Sequence, residues 1–385
     1  MTVKDVACAG NSSAINHSES DPDNYRLAME FVRGASSRHV LWHFGGFAAA
    51  SFRRVLGPEP RFEERVKLDL DMGGIFPWYS VKPIRETLEG VDERNWTDGG
   101  EDYLEWSCKQ GRLTERRRAG QTMKFRVTTV EELRTFLAIC RKTKLAADPE
   151  AYGRARDIAD GKLYGMPRQP LALMAEVSPV QTLIQRITGV DGFYYLLADD
   201  SQLMAETIAA MQELQRQRYD MLAQFDGDLY YQAENTSTTM ISPKYYERYS
   251  LAHIREFAER AHGRKKRAMV HMCGLLKGLL PLIRQTGMDG IHSLTPPPVG
   301  DVSLGDAYEV FPPDFSILHR FNTVHWLHKS MEDILRELQR VAPQNLIAKH
   351  PVILWITGDS VADIPPENFH NLKAALLEFR RDCAQ

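Results

Sequence analysis

The stretch that most restricts the fold of this chain is residues 267–301, RAMVHMCGLLKGLLPLIRQTGMDGIHSLTPPPVGD. Residues 268–270 are apolar and predict a buried strand, and residues 275–285 carry leucine and isoleucine at helical spacing. Gly287 is placed to end that helix, and residues 288–294 predict a second strand. The segment therefore predicts a strand–helix–strand unit, the building block of parallel α/β proteins.

Polar side chains lie at the carboxyl ends of both predicted strands. His271 and Cys273 are two residues apart, and side chains at that spacing on a strand point to the same side. The second strand carries His292. Parallel α/β proteins place their chemistry at these strand ends, so the unit predicts a functional site as well as a fold.

Strand-like segments followed by helical ones recur along the chain. Eight such strands are predicted, near residues 40, 68, 173, 230, 269, 291, 317 and 354. Eight β/α units predict an α/β fold of the (β/α)8 or TIM-barrel type. The alternative is an open doubly wound sheet, which is disfavoured because no glycine-rich phosphate-binding turn follows the first strand.

Composition and charge bound the class of protein. The 385 residues are 43% hydrophobic and carry a net charge of −3, so no overall field favours nucleic acid or a membrane surface. The five cysteines are unpatterned, which favours a reducing compartment over a disulfide framework. No apolar run reaches the ~18 residues of a membrane span, and the first residues do not resemble a signal peptide. We expect a cytoplasmic protein.

The predicted domain organisation has two parts. Residues 1–24 are polar and unpatterned and predict a disordered tail. Residues 25–385 predict one barrel domain, in which residues 25–165 include an N-terminal extension. Within that extension, residues 101–128 predict a hairpin or small surface sheet that turns at Ala119 and Gly120.

In a barrel, the carboxyl ends of all strands meet at one mouth, where ionisable side chains would collect. The predicted members are His43, Asp71, Glu176, Glu234, Asn235, His271, Cys273, His292, His319 and Asp359. Imidazoles, a thiol and carboxylates suit a zinc site with an open position. The alternative for His271 and Cys273 is a buried thiol beside a structural histidine.

Four of these residues are catalytic candidates. Glu234 is the strongest, because a carboxylate at a barrel mouth is costly unless it has a partner. Its neighbour Asn235 is included with it. His292 and His319 complete the set, and each can also be read as an ordinary polar residue of the barrel.

Four segments resemble the uroporphyrinogen decarboxylase superfamily, and the resemblance runs from about residue 25 to the C-terminus. They are ENTSTTMISPKYYERYSL (234–251), VHMCG (270–274), GMDGIHSL (287–294) and ITGDSVADIPPENFHNLKAAL (356–376). This resemblance implies a (β/α)8 barrel with an N-terminal extension. The superfamily includes the decarboxylase, corrinoid-dependent methyltransferases and zinc-dependent thiol methyltransferases.

Two segments separate this chain from the decarboxylase branch. The decarboxylase carries an arginine-rich R-Q-A-G-R-Y stretch after its first strand, whereas residues 43–52 read HFGGFAAASF and contain no arginine. At the last strand its G-H-G is replaced by Thr357, Gly358 and Asp359. The H-x-C-G of residues 271–274 resembles the methyltransferase branch, which implies that His271 and Cys273 are zinc ligands.

The third zinc ligand departs from the family pattern. The methyltransferases supply a cysteine from the last strand, and Asp359 stands in that position here. Zinc accepts oxygen ligands, so Asp359 is the favoured third ligand, with Glu234 or a mouth histidine as alternatives.

We therefore expect a zinc-dependent methyltransferase that acts on a small methylated substrate or a thiol, with a corrinoid protein as a possible partner. The alternatives are a decarboxylase of a porphyrinogen or smaller carboxylated substrate, and a non-catalytic barrel that binds a small molecule. No nucleic-acid or membrane partner is expected, and the oligomeric state is left open.

Purified protein should not convert uroporphyrinogen to coproporphyrinogen, because the arginines that would bind the substrate carboxylates are missing after the first strand. The assay is product formation under anaerobic conditions. Turnover on the order of one per second, an ordinary enzymatic rate, would overturn this prediction.

Overall fold

The computed structural model describes residues 21–37, 39–358 and 361–383. Residues 1–20, the larger part of the predicted tail, lie outside this range, as does Asp359. The first helix begins at Asp21, earlier than the predicted start of the domain at residue 25.

Fourteen strands form in the described residues. They are Leu41–Gly45 (β1), Tyr79–Val81 (β2), Ile84–Leu88 (β3), Asp92–Asp98 (β4), Glu101–Cys108 (β5), Gly111–Arg118 (β6), Gln121–Lys124 (β7), Thr143–Ala147 (β8), Leu171–Ala175 (β9), Leu229–Gln232 (β10), Arg267–His271 (β11), Gly290–Leu294 (β12), Ser316–Phe321 (β13) and Val352–Thr357 (β14).

Eight of these strands make one parallel sheet in the order β1-β14-β13-β12-β11-β10-β9-β2. The sheet curls so that its two ends meet, because the segment before β2 runs beside β1. There the amide of Ile75 donates to the carbonyl of Trp42 at 2.8 Å. The predicted (β/α)8 barrel is therefore confirmed.

Helices surround this sheet. The α-helices are Asp21–Val32, Arg53–Leu56, Phe62–Asp71, Val130–Lys142, Pro149–Ala159, Pro179–Thr182, Gly189–Asp199, Ser201–Leu222, Pro243–Tyr249, Leu251–Gly263, Leu280–Gln285, Leu304–Val310, Thr323–Trp326, Met331–Val341, Gln344–Ile347 and Pro366–Asp382. A π-helical turn, Leu183–Ile187, and the 3-10 turns Ala49–Phe52 and Lys277–Leu279 complete them. No helix within the described ranges combines the length and the apolar character that crossing a membrane requires.

The predicted second strand near residue 68 was wrong. Residues 66–70 lie inside the helix Phe62–Asp71, and the second barrel strand is β2. Glu64 supports the start of this helix, since its carboxylate accepts from the amide of Arg61 at 2.9 Å. The alternation in VKLDL is typical of a strand. These residues form a helix because Glu64 supports its start and because β2 takes the place beside β9 in the barrel.

The helix predicted at 275–285 begins later than expected. The chain first forms the 3-10 turn Lys277–Leu279, and the α-helix covers only Leu280–Gln285. The Asp301 carboxylate accepts from the amides of Leu276 (2.7 Å) and Lys277 (3.1 Å), so these donors are satisfied outside a regular helix.

Residues 82–148 form an insertion between β2 and the helix Pro149–Ala159. They contain the antiparallel sheet β4–β7, the β3–β8 pair and the helix Val130–Lys142. The turn at Ala119 and Gly120 joins β6 to β7. Because the insertion follows a barrel strand, it leaves the barrel at the end where strands finish, which is the mouth.

The helix Asp21–Val32 closes the opposite end of the barrel. Its Leu27, Phe31 and Val32 pack into the interior with residues of the barrel strands. Ser316, the first residue of β13, donates from its hydroxyl to the carbonyl of Phe31 at 2.6 Å. The helix is therefore part of the barrel core.

Replacing Phe31 with alanine should lower the free energy of unfolding by about 3–5 kcal/mol, because it leaves a cavity in the barrel floor. Phe31 is 1% exposed. The measurement is denaturant unfolding followed by circular dichroism. Phe62, which is 42% exposed, is the control, and its alanine variant should lose less than about 1 kcal/mol. Equal losses would show that the helix is not a structural part of the barrel.

Candidate active site at the barrel mouth

Strand alternation determines which side chains face the barrel interior at the mouth. Four strand residues lie in the interior core, namely Leu41, Met269, Leu318 and Ile353. Two residues further along each strand, on the same side and nearer the mouth, stand His43, His271, Arg320 and Trp355. On β12, His292 pairs in register with His271 and Leu318 and so faces the interior too.

We call the interior residues at this end the mouth cluster. Its members are His43, Trp78, Tyr231, His271, Cys273, His292, Arg320 and Trp355. Trp78, which precedes β2, contacts His292 and also stacks on Phe31 of the helix at the opposite end of the barrel. Apart from Tyr231, which is buried, each of these residues is partly exposed, so solvent reaches the cluster. The interior of the barrel at this end, which we call the basin, is thus lined by imidazole, indole, thiol and guanidinium groups.

His292 connects the polar groups of the mouth cluster. Its Nδ1 lies 2.9 Å from Nδ1 of His271 and 2.8 Å from the hydroxyl of Tyr231. The ring of Trp355 packs on His292 with centroids 4.3 Å apart. A neutral imidazole nitrogen either donates or accepts, and the Tyr231 hydroxyl can do both, so it adapts to the tautomer of His292.

Cys273 and Asn235 meet at the edge of the cluster. The Cys273 thiol donates to Oδ1 of Asn235 at 2.8 Å, and the amide of Asn235 donates to the carbonyl of His271 at 2.6 Å. Asn235 reaches both partners in a left-handed conformation with φ of 51°. The structure therefore brings together four predicted site residues: Asn235, His271, Cys273 and His292.

Burial keeps the imidazoles of the cluster uncharged at neutral pH. It lowers the pKa of His43 and of His271 to about 4, and the pKa of His292 falls well below its ordinary value. Burial also raises the pKa of the Cys273 thiol, against the opposing effect of the positive Arg320. Neutral imidazoles keep a lone pair for a proton or a metal ion, and Cys273 is a neutral thiol.

Glu234 does not join the cluster, although it is adjacent to Asn235. It is completely buried, and its carboxylate accepts from the amide (2.7 Å) and hydroxyl (2.6 Å) of Ser178 and from the Thr236 hydroxyl (3.3 Å). Ser178 is the N-cap of the helix Pro179–Thr182. The carboxylate therefore supports the start of that helix, and burial raises its pKa to about 7.

His319 also faces away from the basin. It is completely buried on β13 between two interior residues, beside the backbone of Leu294 and Val341. Burial lowers the pKa of His319 to about 3, so it is a neutral residue of the layer between sheet and helices.

Three carboxylates placed at the mouth by sequence have different positions. Asp71 is exposed at the end of the helix Phe62–Asp71, because the strand predicted before it is that helix. Glu176 follows β9 and forms ion pairs with Lys82 and Arg186. Asp359, the favoured third metal ligand, lies outside the described residues.

The described residues therefore include two of the three predicted metal ligands, His271 and Cys273. Within 21–37, 39–358 and 361–383, no group of three or more His, Cys, Asp or Glu side chains is arranged to hold a metal ion. His271 and Cys273 have the donor types that zinc prefers and extend from one strand end, so they fit two positions of a zinc site.

Sequence reasoning missed Trp78, Arg320 and Trp355. Arg320 and Trp355 could have been found by counting two residues from the inward-facing Leu318 and Ile353, once the direction of those residues was known. Nothing in the sequence marks Trp78, because it precedes the strand that was misplaced.

The fold and the basin together define a parallel barrel protein with its site at the carboxyl ends of the strands. The family model described as Uroporphyrinogen decarboxylase (URO-D) matches residues 170–379. This match covers more than half of the chain, which therefore belongs to the URO-D family of enzymes. A comparison with curated protein sequences found no match.

Three solved structures are similar to this chain, and one of them shows the fold. A methyltransferase from Methanosarcina mazei is 15% identical, with a TM-score of 0.54 over 92% of this chain and 98% of that chain. D-psicose 3-epimerase with D-tagatose from Clostridium cellulolyticum H10 is 13% identical, with a TM-score of 0.33 over 61% and 84%. Dispersin B is 12% identical, with a TM-score of 0.35 over 89% and 99%. At these identities the first likeness shows the fold, and the other two add no argument.

Replacing Glu234 with glutamine should change how stability depends on pH. With a folded pKa of about 7 against an ordinary value of 4.5, Glu234 binds a proton more tightly in the folded state. This tighter proton binding adds about 3 kcal/mol to the free energy of unfolding below pH 4.5, and the contribution is lost as the pH rises through 7. The free energy of unfolding of Glu234→Gln, measured relative to that of wild type, should therefore rise as the pH increases from 4.5 to 8.

Denaturant unfolding at several pH values measures this difference. Glu247→Gln, at an exposed position on the helix Pro243–Tyr249, is the control and should follow the wild-type profile. If the stability of Glu234→Gln changes with pH in the same way as that of wild type, burial does not raise the pKa of Glu234 and the prediction is wrong.

Proposed function

We propose that this URO-D family enzyme is a methyltransferase that works at the mouth cluster, with a zinc ion held by His271, Cys273 and Asp359. The observation that carries the proposal is that an imidazole ends β11 and a thiol follows two residues later, both partly exposed at the mouth. The matching fold of a protein named as a methyltransferase agrees with it.

The surroundings of His271 support a role as a ligand. Its Nδ1 contacts His292, which leaves Nε2 for a metal ion, and His292 is itself fixed by Tyr231 and Trp355. Outer partners of this kind hold a metal-binding imidazole in one orientation and tautomer.

Cys273 must lose its proton to become a ligand. Its thiol now donates to Asn235, and the positive charge of Arg320 favours the thiolate. A bound zinc ion would lower the pKa of a coordinated thiol and so supply a strong nucleophile at neutral pH. A carboxylate in place of a thiolate as the third ligand makes a harder site that binds zinc more weakly.

The proposed reaction moves a methyl group without net oxidation or reduction. The sulfur of the acceptor thiolate forms a bond to the methyl carbon, and the bond from that carbon to the donor atom breaks. The donor keeps the electron pair, and the proton released from the thiol balances its charge. The donor is a small methylated substrate or a methylated corrinoid carried by a partner protein.

Wild-type protein that has never met a chelator should carry one zinc ion per chain. Cys273→Ser should lose most of the metal, and Asp359→Asn should lose part of it because an amide oxygen is a weaker ligand than a carboxylate. Metal analysis and the melting temperature with added zinc are the measurements. Cys108→Ser, which changes a cysteine of the insertion, is the control and should keep the wild-type metal content.

Transfer itself can be followed with methylcobalamin and 2-mercaptoethanol, through the change in visible absorption when cobalt loses its methyl group. Cys273→Ser should be inactive where wild type is active. Wild-type protein with well under one metal per chain, and no rise in melting temperature with zinc, would refute the zinc-dependent mechanism.

A further inference from the structure

A cavity of about 280 Å³ lies where the insertion meets the barrel. The insertion lines it with residues of β3, β5 and the helix Val130–Lys142, and the barrel lines it with the π-helical turn Leu183–Ile187 and the helix Ser201–Leu222. The described residues of this lining include no member of the mouth cluster. Its volume is just below the roughly 300–1,000 Å³ typical of ligand pockets, so it suits a small molecule.

One part of the cavity wall is apolar. It is formed by Phe136 from the insertion and by Ile187, Met211 and Leu214 from the barrel. All four side chains are counted in the core, yet each keeps between 5% and 9% of its surface exposed. An apolar group inside the cavity would cover such surface, and the burial of apolar area favours binding.

Positive charge is in excess around the cavity, because two carboxylates are each shared between two cations. The ion pairs are Glu176 with Lys82 and Arg186, and Glu115 with Arg117 and Arg126. Glu86 and Arg218 pair one to one. Glu93 also acts on Arg126, but it is exposed, so solvent screens its charge. The charges therefore favour an anion in the cavity.

Arg126 is the buried cation of the lining. It is 8% exposed, its guanidinium carbon lies 3.9 Å from the ring centroid of Trp106, and its Nη2 donates to the Glu115 carboxylate at 2.9 Å. Its Nε has no hydrogen-bond partner within the described residues. Burial lowers the pKa of Arg126 although Glu115 opposes this effect. A second anion nearby would stabilise the buried charge.

Arg186 is the accessible cation of the lining. Its side chain is 54% exposed, and within the described residues its hydrogen-bond partner is Glu176, to which Nη1 donates at 3.3 Å. A guanidinium has five N–H donors in a planar fork, so donors remain for a carboxylate at the cavity.

We propose that this cavity binds a small monocarboxylate with an apolar tail. The carboxylate lies beside Arg186 and near the buried charge of Arg126, and the tail lies against Phe136, Met211 and Leu214. The site is separate from the basin, so it depends neither on zinc nor on the proposed methyl transfer. Its ligand contacts the insertion and the barrel together.

Hexanoate, hexan-1-ol and acetate test this proposal, because the alcohol has the tail without the charge and acetate has the charge without the tail. Binding is measured by calorimetry on the full chain after chelator treatment, so that a carboxylate cannot bind through a metal ion. Wild type should bind hexanoate about tenfold or more tightly than either of the others. Arg186→Met should weaken hexanoate binding about tenfold and leave hexan-1-ol binding unchanged.

Three further variants make the test specific. Arg134→Met is the matched control, because Arg134 is 58% exposed and paired with Asp200 but is not part of the lining, and it should bind as wild type does. Met211→Trp places a larger side chain in the cavity and should weaken hexanoate binding about tenfold or more. Arg186→Lys keeps the charge without the planar fork, so its affinity should be intermediate. Circular dichroism establishes that each variant is folded, and the lysine variant decides the question if Arg186→Met is not.

No hexanoate binding, equal binding of hexanoate and hexan-1-ol, or unchanged hexanoate binding in a folded Arg186→Met or Met211→Trp would each overturn the proposal. Cys273→Ser separates this site from the basin and should bind hexanoate as wild type does. Lost binding in that variant would assign hexanoate to the basin and overturn the proposal. Zinc content, measured on untreated protein, tests the metal site independently.

Discussion

The parallel pairing of β11 with β12 is the interaction on which the mouth cluster depends. Its register sets His271 opposite His292, and the next pairing, of β12 with β13, sets His292 opposite the interior Leu318. Because side chains alternate along a strand, a shift of one residue would turn both imidazoles out of the basin. The backbone hydrogen bonds between these strands thus determine which side chains lie close together in the basin.

The loops that leave these strands adopt conformations that ordinary residues rarely take. Asn235 has a φ of 51°, and Ser293, at the irregular point between β12 and β13, has a φ of 80°. Such conformations cost on the order of 1–3 kcal/mol each and persist where the surroundings impose them. At Asn235 the gain is visible, because the backbone meets His271 while the side chain meets Cys273.

The basin gathers groups that burial holds in their neutral forms, and this has consequences for binding. His43, His271 and His292 are uncharged at neutral pH, so Arg320 carries the fixed charge among the cluster side chains named above. A metal ion at His271 and Cys273 would therefore meet neutral donors, with one positive side chain nearby.

The sequence by itself determined the barrel class, the family and the pair at the end of β11. The apolar run before His271 is local, so it was enough to place the imidazole at the carboxyl end of a strand, with the Cys273 thiol two residues beyond. Runs such as 352–356 were also read correctly, because a strand buried on both faces is apolar throughout.

Tertiary structure decided what depends on pairing between distant segments. Residues 66–70 alternate like a strand and yet form a helix, since β9 pairs with Tyr79–Val81 instead. Glu234 and Asn235 are neighbours in sequence, but only Asn235 meets the cluster, because Ser178 takes the carboxylate of Glu234. Arg320 and Trp355 became part of the basin through the register of β13 with β14, which no local pattern encodes.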